Sequence, residues 1–431
     1  MNTDTIFALS SGFGKAGVAV IRISGDNLKE LFAKISNRKF FAARNAYFTN
    51  LKDENGDLID QCIAIYFAAP NSFTGQDIIE IHSHGAPAVV NKIFAFLSKQ
   101  NARMANPGEF SRRAFLNGKM DLTDVDGLAA LLDAQTDKQR QFALKSMLGG
   151  DAEIYNTWRT QIVEIAAYAA AILDYDADDL PANIGEKILS KTNALYTEID
   201  SSLSRYNVSR AIAHGFNIVF VGETNVGKSS IFNKLVGANR AIVSNTPGTT
   251  RDVISAQIDI DGFLVNLSDT AGLRETDDTI EQMGIDRTKA EQENADLVLH
   301  LFATDTKTAP DNKTIIVINK SDEIKTRNNK NAIYTSAKNN DGIDELLHAI
   351  RKKMHNLLDN TENALVINAR TYKLLSDTKY ELENAIQKFD GNYDIFAEHV
   401  RAAADNIGKI LGAITANDVM DATFSQLCLG K

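Results

Sequence analysis

The segment from residue 214 to residue 237 limits the fold of this chain more than any other. It reads HGFNIVFVG, GETNVGKS and SIFNKLVG in succession, which predicts a buried strand, a loop at 222–229 and a helix. Glycines in such a loop let backbone N–H groups point at phosphate oxygens, at the positive end of the helix dipole. Lys228 can reach the β- and γ-phosphates, and Ser229 can place its hydroxyl on Mg²⁺. The segment therefore predicts a phosphate-binding loop in an α/β domain.

Three further motifs select the nucleotide. NLSDTAGL ends a strand with D-x-x-G, where Asp269 serves the metal through water and the Gly272 amide serves the γ-phosphate. TIIVINKSD ends a strand with N-K-x-D, and Asp322 can accept hydrogen bonds from both guanine N1–H and the guanine N2 amino group. Adenine cannot donate both, so the site selects guanine. IYTSAK adds a loop whose backbone near Ala337 can touch guanine O6. Together these motifs predict a GTPase.

The loop NTPGTTRD supplies Thr250, which can offer a hydroxyl to Mg²⁺ and an amide to the γ-phosphate. Leu273 stands where many GTPases carry the glutamine that orients the attacking water, so hydrolysis needs another group. Acidic candidates follow at Glu275, Asp277, Asp278 and Glu281. The predicted GTP contacts are Asn225, Val226, Gly227, Lys228, Ser229, Ser230, Ser244, Thr249, Thr250, Asp269, Thr270, Ala271, Gly272, Asn319, Lys320, Asp322, Ser336, Ala337 and Lys338.

The overall composition argues against several classes of protein. A net charge of −10 is unlike a chain that coats nucleic acid throughout, although a local basic patch can still bind RNA. The two cysteines, Cys62 and Cys428, are too far apart in sequence for a zinc knuckle or a disulfide framework. The opening residues do not resemble a signal peptide, and the longest apolar stretch is short and contains Glu164. We therefore expect a cytoplasmic protein without a membrane span.

Hydrophobic patterns divide the chain into four segments. Residues 1–118 alternate β-branched runs with turns and predict an α+β domain. Residues 119–213 and 359–431 have helical periodicity, whereas residues 214–358 alternate strands and helices. We predict a multidomain protein in which a helical domain is interrupted by an inserted α/β P-loop GTPase domain of the Ras-like type.

Local signals refine this division. VAVIRIS, CIAIYFA and DIIEIHSHG predict strands in the first segment, and 87–100 predicts a helix. Thr123 and Asp126 resemble a capping box, from which one helix is expected to run to Gly149–Gly150. The connector 303–313 is short for a helical crossover between parallel strands, so we expect its helix to be trimmed or missing.

A second glycine pattern, GFGKAG at 12–17, matches the G-x-G-x-x-G of dinucleotide-binding proteins. That fingerprint requires a helix after the loop, whereas GFGKAG continues into the β-branched run VAVIRIS. We interpret it as the entry to a strand, with glycines that allow tight packing or close approach of a ligand or partner chain.

Several longer motifs resemble one family. GTTRD, DTAGLRE, PNSFTGQD, NPGEFSRRAFLNGKMDL and the ending CLGK are similar to those of the MnmE (TrmE) family of tRNA-modification GTPases, and the resemblance covers essentially the whole chain. It implies a homodimer that works with a flavin-dependent partner, MnmG (GidA), in a heterotetramer or larger complex. The pair would place an aminomethyl or carboxymethylaminomethyl group on C5 of the wobble uridine of tRNA. The carbon would come from 5,10-methylene- or 5-formyl-tetrahydrofolate.

The resemblance also implies roles for individual residues. The matching folate residues are Arg22, Glu80, Lys119 and Lys431. Potassium, which would supply the charge of an arginine finger, would be held by Asn225, Ser244, Thr246 and Thr249. Mg²⁺ would be held by Ser229 and Thr250, and the catalytic residues would be Glu281, Lys228 and Arg274. Cys428 matches the family's cysteine and is either a reactive thiol or a small buried side chain.

Two other functions fit a GTPase domain. A GTP-controlled switch for ribosome assembly would bind RNA without modifying it, but it would carry a KH or similar domain instead of the α+β segment. A signalling or membrane-scaffold GTPase would carry a lipidation motif or a basic amphipathic helix, and the sequence shows neither.

Overall fold

The structure is a computed structural model that divides into two compact units. Unit 1 comprises residues 1–129, 147–167 and 400–431, and unit 2 comprises residues 130–146 and 168–399. The described residues are 4–176, 180–181, 183–242, 254–269, 292–306, 308–358, 365, 368–389, 392–412 and 430, with the backbone alone at 240, 254 and 255. Among them, no helix is long and apolar enough to cross a membrane.

Unit 1 is built on a six-stranded sheet. Its strands are β1 (Thr5–Leu9), β2 (Ala16–Gly25), β3 (Ala46–Lys52), β4 (Leu58–Phe67), β5 (Asp77–Gly85) and β6 (Ala102–Met104). Their order across the sheet is β3-β4-β5-β2-β1-β6. Three helices accompany them, namely α1 (Lys29–Ser36), α2 (Pro87–Ser98) and α3 (Glu109–Leu116). This mixed sheet confirms the predicted α+β domain.

Alternation along the central strands gives this sheet two different faces. Ile21, Ile23, Ile79 and Ile81 are fully buried and pack in one core with the apolar sides of α1 and α2. The residues between them point the other way, so Arg22 of β2 and Glu80 of β5 lie together on the opposite face. The antiparallel register pairs these two residues directly.

Helices follow the first sheet. They are α4 (Leu122–Asp133), α5 (Asp137–Met147), α6 (Gly150–Asp174), α7 (Ile184–Ser204) and α8 (Tyr206–His214). The predicted single helix ending at Gly149–Gly150 is wrong, because the chain breaks between α4 and α5 and Gly150 begins α6. At the break, the Gln139 side chain accepts hydrogen bonds from the backbone N–H groups of Gln135 and Thr136. These contacts satisfy the donors of a new helix start.

A capping box does begin α4, but its residues differ from the predicted Thr123 and Asp126. The Asp121 side chain accepts from Asp124 N at 2.9 Å, and the Asp124 side chain accepts from Asp121 N at 3.0 Å. This reciprocal arrangement is a capping box, shifted from the predicted Thr123 and Asp126. The Thr123 hydroxyl instead donates to Asp121.

Unit 2 contains a seven-stranded sheet. Its strands are β7 (Phe216–Val221), β8 (Arg240–Ile242), β9 (Ile254–Ile260), β10 (Phe263–Asp269), β11 (Leu297–Phe302), β12 (Thr314–Ile318) and β13 (Ala332–Tyr334), in the order β13-β12-β11-β7-β10-β9-β8. The first five strands in that order are mutually parallel, and β9 is antiparallel to both of its neighbours, β10 and β8. Apolar residues of the sheet pack against α9 (Lys228–Ala238) and α10 (Ile343–Leu358).

Two later helices, α11 (Ala369–Gln387) and α12 (Tyr393–Leu411), end the described fold. Within unit 2, α7 packs against α11, and Lys379 of α11 forms an ion pair with Asp200 of α7. The seven-stranded sheet lies between these two helices in the chain, so it is an insertion between packed helices. The predicted fold class is thereby confirmed, whereas the bounds of the four predicted segments stay predictions.

The connector between β11 and β12 contains no helix in its described residues, 303–306 and 308–313, as its length led us to expect. Side chains hold it against the next loop instead. Asp305 accepts from the Tyr334 hydroxyl and from Asn328 N, both at 2.8 Å, and Asn329 Nδ2 donates to Thr306 O at 2.8 Å. A pair of hydrogen-bonded loops therefore occupies the place of a crossover helix.

Candidate functional site

The predicted phosphate loop lies between the end of β7 and the start of α9. Three of its residues have positive φ angles, namely Gly222 (146°), Asn225 (63°) and Gly227 (92°). Only glycine adopts such conformations freely, and asparagine tolerates the second. A Cβ on Gly222 would collide with the Leu301 carbonyl oxygen, and one on Gly227 would collide with Asn319 Nδ2. The glycines are therefore required by both backbone conformation and space.

Two side chains of this loop take up positions that suit a phosphate and a metal. Lys228 is buried, and its Nζ donates to the carbonyl oxygens of Gly222 and Glu223, both at 2.7 Å. The loop therefore curves around the amine. Ser229 Oγ donates to Asp269 Oδ2 at 2.9 Å, which places a hydroxyl and a carboxylate side by side at the ends of α9 and β10. Hard oxygen donors of this kind suit Mg²⁺.

Asn319 joins the phosphate loop to the predicted base-binding loops. Its Nδ2 donates to Val226 O at 2.9 Å, and its Oδ1 accepts from Thr335 Oγ1 and Ala337 N, each at 3.4 Å. The side chain is buried. The geometry thus gives Asn319 a bridging position between three loops that are distant in sequence.

Asp322 and Ser336 meet at the exposed end of these loops. Ser336 Oγ donates to Asp322 Oδ1 at 2.6 Å, and this hydrogen bond lowers the pKa of Asp322. The carboxylate is consequently ionised at neutral pH and can accept two hydrogen bonds from guanine. Lys320 has a left-handed backbone (φ 58°) that turns the chain between Asn319 and Asp322. Lys338 is exposed beside them, and Ser230 is exposed at the start of α9.

Several predicted site residues lie outside the described part of the chain. They are Ser244, Thr246, Thr249, Thr250, Thr270, Ala271, Gly272, Arg274, Glu281, Cys428 and Lys431. Their assigned roles stay predictions.

A second candidate site lies on the face of the unit 1 sheet that carries Arg22 and Glu80. Arg22 Nη2 and Nε donate to Glu80 Oε1 at 3.0 and 3.1 Å, and about a fifth of each side chain remains exposed (19% and 17%). The guanidinium lies over the rings of Phe73, at 5.2 Å, and Phe110, at 5.9 Å. The charge pair and the partly exposed ring of Phe73 suit a flat heterocycle carrying polar edges, whereas Phe110 is buried and supports Arg22 from the core.

Gly430 completes this cluster. The Gly430 carbonyl oxygen accepts from Ser10 Oγ at 3.0 Å and from Arg22 Nη1 at 3.4 Å. A Cβ on Gly430, whose φ is 93°, would collide with the Leu9 carbonyl oxygen, so the chain there approaches β1 closely. Lys119 lies beside Gly75, two residues after Phe73. The neighbour of Gly430 is Lys431, and its own position is outside the described residues.

Sequence reasoning missed His82, Phe73 and Phe110. His82 Nε2 lies 3.4 Å from Glu80 Oε2. The alternation of Glu80, His82 and His84 in one strand was a usable signal, because residues two apart point to the same face. Phe110 had no such signal, since only the packing of α3 brings it to Arg22.

The interpretation of GFGKAG as the entry to a strand is confirmed, whereas the expected packing against a ligand or partner chain stays a prediction. The segment enters β2 directly, and no helix follows it. Within the described residues of this chain, a Cβ on Gly12, Gly14 or Gly17 would meet nothing within 4 Å. Only Gly14, with φ 121°, needs glycine for its conformation.

Known proteins resemble the chain over its whole length. Residues 5–119 match the family model for the N-terminus of the GTP-binding protein TrmE, and residues 122–428 match the MnmE helical domain. The tRNA modification GTPase MnmE of Agrobacterium fabrum is 38% identical, covering 100% of this chain and 99% of that protein. The protein of the same description from Brucella ovis is 37% identical, covering 99% and 98%. Among solved structures, the G domain of the T. maritima FeoB iron transporter aligns with 33% of this chain and with 98% of its own length. The two are 23% identical, and the TM-score is 0.23.

Proposed function

Because the chain belongs to the MnmE family of tRNA modification GTPases, we propose that it uses GTP hydrolysis and a folate one-carbon unit to modify the wobble uridine of tRNA at C5. The product carries an aminomethyl or carboxymethylaminomethyl group. The chain acts as a homodimer in the cytoplasm, with the flavin-dependent protein MnmG (GidA) in a larger complex. Potassium activates its GTP hydrolysis.

The observation that carries this proposal is the pairing of two candidate sites of different chemistry in one chain. The first, formed by Lys228, Ser229, Asp269 and the Asn319–Asp322 loop, suits a guanine nucleotide with Mg²⁺. The second, formed around Arg22 and Glu80, suits a flat heterocycle with charged groups. A ribosome-assembly switch that only binds RNA would not need the second site.

In the nucleotide site, this chain's own residues hold and orient the phosphates. Lys228 neutralises charge that develops between the β- and γ-phosphates, and the loop amides donate to their oxygens. Bound Mg²⁺ supplies charge neutralisation, with Ser229 and Thr250 as its proposed ligands. Glu281 is proposed to orient the attacking water, in place of the glutamine that Leu273 replaces.

In the second site, Glu80 offers a carboxylate that can accept from the donor edge of a pterin ring, and Arg22 can donate to the folate. Phe73 and Phe110 already provide flat surfaces against the Arg22 guanidinium. Lys119 and Lys431 are proposed to bind the carboxylates of the glutamate tail. A bound reduced folate supplies the carbon that is transferred.

The proposed function is tested by mass spectrometry of tRNA. A strain that lacks this chain is expected to lose the C5 modification of its wobble uridines, and the unaltered chain is expected to restore it. The control is a modified nucleoside outside the anticodon, whose level should stay the same. Intact C5 modifications in the deletion strain refute the proposal.

The folate site is tested by replacing Arg22 with alanine. Loss of charge-assisted hydrogen bonds is expected to weaken the binding of 5-formyl-tetrahydrofolate about 10- to 100-fold, as measured by titration calorimetry. Arg22→Lys keeps the positive charge but lacks the planar guanidinium, so its folate affinity should lie between those of the unaltered chain and Arg22→Ala. Lys52→Ala, on an exposed residue of the same sheet, is the control and should bind normally. Unchanged affinity in Arg22→Ala removes this pocket from the proposal.

A further inference from the structure

The loop between α1 and β3, residues 37–45, carries the most exposed large apolar side chain that the structure describes. Phe40 is 91% exposed. A single exposed apolar residue is ordinary on a protein surface and has no meaning alone. The surroundings of Phe40 therefore decide whether it has a role.

The 37–45 loop is held in place by its neighbours. Phe41 packs edge-on against Phe32 at 4.6 Å and against Tyr66 at 5.4 Å, inside the core of unit 1. The Tyr47 hydroxyl accepts from Ala42 N at 2.7 Å. Partly buried Phe41 thus anchors the loop against the core, while the adjacent Phe40 is exposed to solvent. Phe40 is therefore an exposed aromatic side chain on a loop that is held in place by its neighbours.

The sequence around Phe40 is basic in a chain that is acidic overall. Residues 31–52 contain no acidic residue and five basic ones, which are Lys34, Arg38, Lys39, Arg44 and Lys52. The whole chain has a net charge of −10. The segment is therefore a local reversal of charge, and its exposed cations Arg38, Lys39 and Arg44 favour the approach of a polyanion.

Two of these cations are stacked on aromatic rings. The Arg38 guanidinium lies over the Tyr47 ring at 5.1 Å, and the Arg44 guanidinium lies over the Phe67 ring at 5.7 Å and donates to Asn71 O at 2.7 Å. Stacking orients a guanidinium and leaves donors at its edge for phosphate oxygens. Arg38, Lys39 and Arg44 are all exposed.

We propose that the 37–45 loop is a tRNA contact surface, in which Phe40 stacks on an unpaired base and Arg38 and Lys39 bind backbone phosphates. The proposal rests on the proposed function, which requires a tRNA substrate. Exposed aromatic side chains beside arginine and lysine are the usual means of holding single-stranded RNA. A protein partner is the less favoured occupant, because lysine is depleted at protein–protein interfaces.

The test uses the full chain and an unmodified tRNA transcript, with binding measured by fluorescence anisotropy. Phe40→Ala is expected to weaken binding about 5- to 20-fold through lost stacking, and Phe40→Tyr should retain most of it. The double variant Arg38→Gln/Lys39→Gln should also weaken binding. It should reduce the slope of log affinity against log salt by about 0.7–0.9 for each lost phosphate contact.

Matched controls separate this surface from general electrostatics. Tyr380→Ala removes an aromatic side chain that is 62% exposed in unit 2. Lys325→Gln/Lys330→Gln removes two exposed charges from unit 2. Both should bind tRNA as the unaltered chain does, and all variants should hydrolyse GTP at the normal basal rate.

The outcomes are distinct. If Phe40→Ala binds tRNA normally, or if the unit 2 lysine variant loses as much affinity as the Arg38/Lys39 variant, the surface assignment is overturned. A change in self-association without a change in tRNA affinity also overturns it and assigns Phe40 to a protein contact. If the unaltered chain fails to restore tRNA modification in the deletion strain, the proposed function fails instead.

Discussion

Replacing Gly227 with alanine is expected to lower GTP affinity about 100-fold and the free energy of unfolding by about 2–3 kcal/mol. Gly227 has φ 92°, which alanine adopts only with strain. Its new Cβ would also collide with Asn319 Nδ2, the atom that donates to Val226 O. The substitution therefore breaks the link between the phosphate loop and the base-binding loop. Nucleotide affinity can be followed with a fluorescent GDP analogue.

Gly237→Ala is the matched control for this prediction. Gly237 lies in α9, and a Cβ there meets nothing within 4 Å. Alanine favours helix more than glycine, so this variant should be about 0.5–1 kcal/mol more stable and should bind nucleotide normally. Equal nucleotide affinity in the two variants would show that the Gly227–Asn319 contact has no part in binding.

GTP turnover is expected to be about 100-fold faster in potassium chloride than in sodium chloride at the same ionic strength. A cation at the phosphates that replaces an arginine finger contributes a large part of transition-state stabilisation. Asn225 is exposed on the phosphate loop, and its side chain is one of the ligands proposed for the ion. Rubidium, which is close to potassium in size, should sustain turnover, and lithium should not.

A variant separates the ion from a general salt effect. Asn225→Gly removes the amide and keeps the backbone unstrained, because glycine accepts φ 63° freely. Its rate in potassium should drop to the rate in sodium, while its rate in sodium should hardly change. Equal rates of the unaltered chain in potassium and sodium would remove the ion from the proposal.

Strands were predicted correctly from local alternation, whereas the helix break and the capping residues were not, because several neighbouring residues could have served at each position. The strands around Arg22 and Glu80 were recognised because alternation is visible within a few residues. The break between α4 and α5 was missed, because Gln135 and Thr136 do not differ in propensity from their helical neighbours enough to mark it. The side chain that caps α5, Gln139, lies inside that helix.

The described residues of the connector between β11 and β12 form no crossover helix, as its length predicted. A connector of 303–313 is too short for the usual helix, and this holds whatever its sequence. What replaces the helix was not foreseeable, since Asp305 lies in the connector, Asn329 in the loop before β13 and Tyr334 at the end of β13. Their hydrogen bonds depend on β12 and β13 lying side by side.

The phosphate loop, its lysine and the guanine-selecting motif follow from the sequence alone, because each depends on residues adjacent in the chain and on backbone chemistry that glycine makes possible. Only the folded chain reveals that Asn319 ties Val226 to Ala337, and that Arg22 meets Glu80 and the Gly430 carbonyl. It alone shows that Phe41 packs against the core while Phe40 is exposed beside Arg38 and Lys39. These facts depend on strand register and on packing between distant segments. Short-range patterns in a sequence carry no record of either.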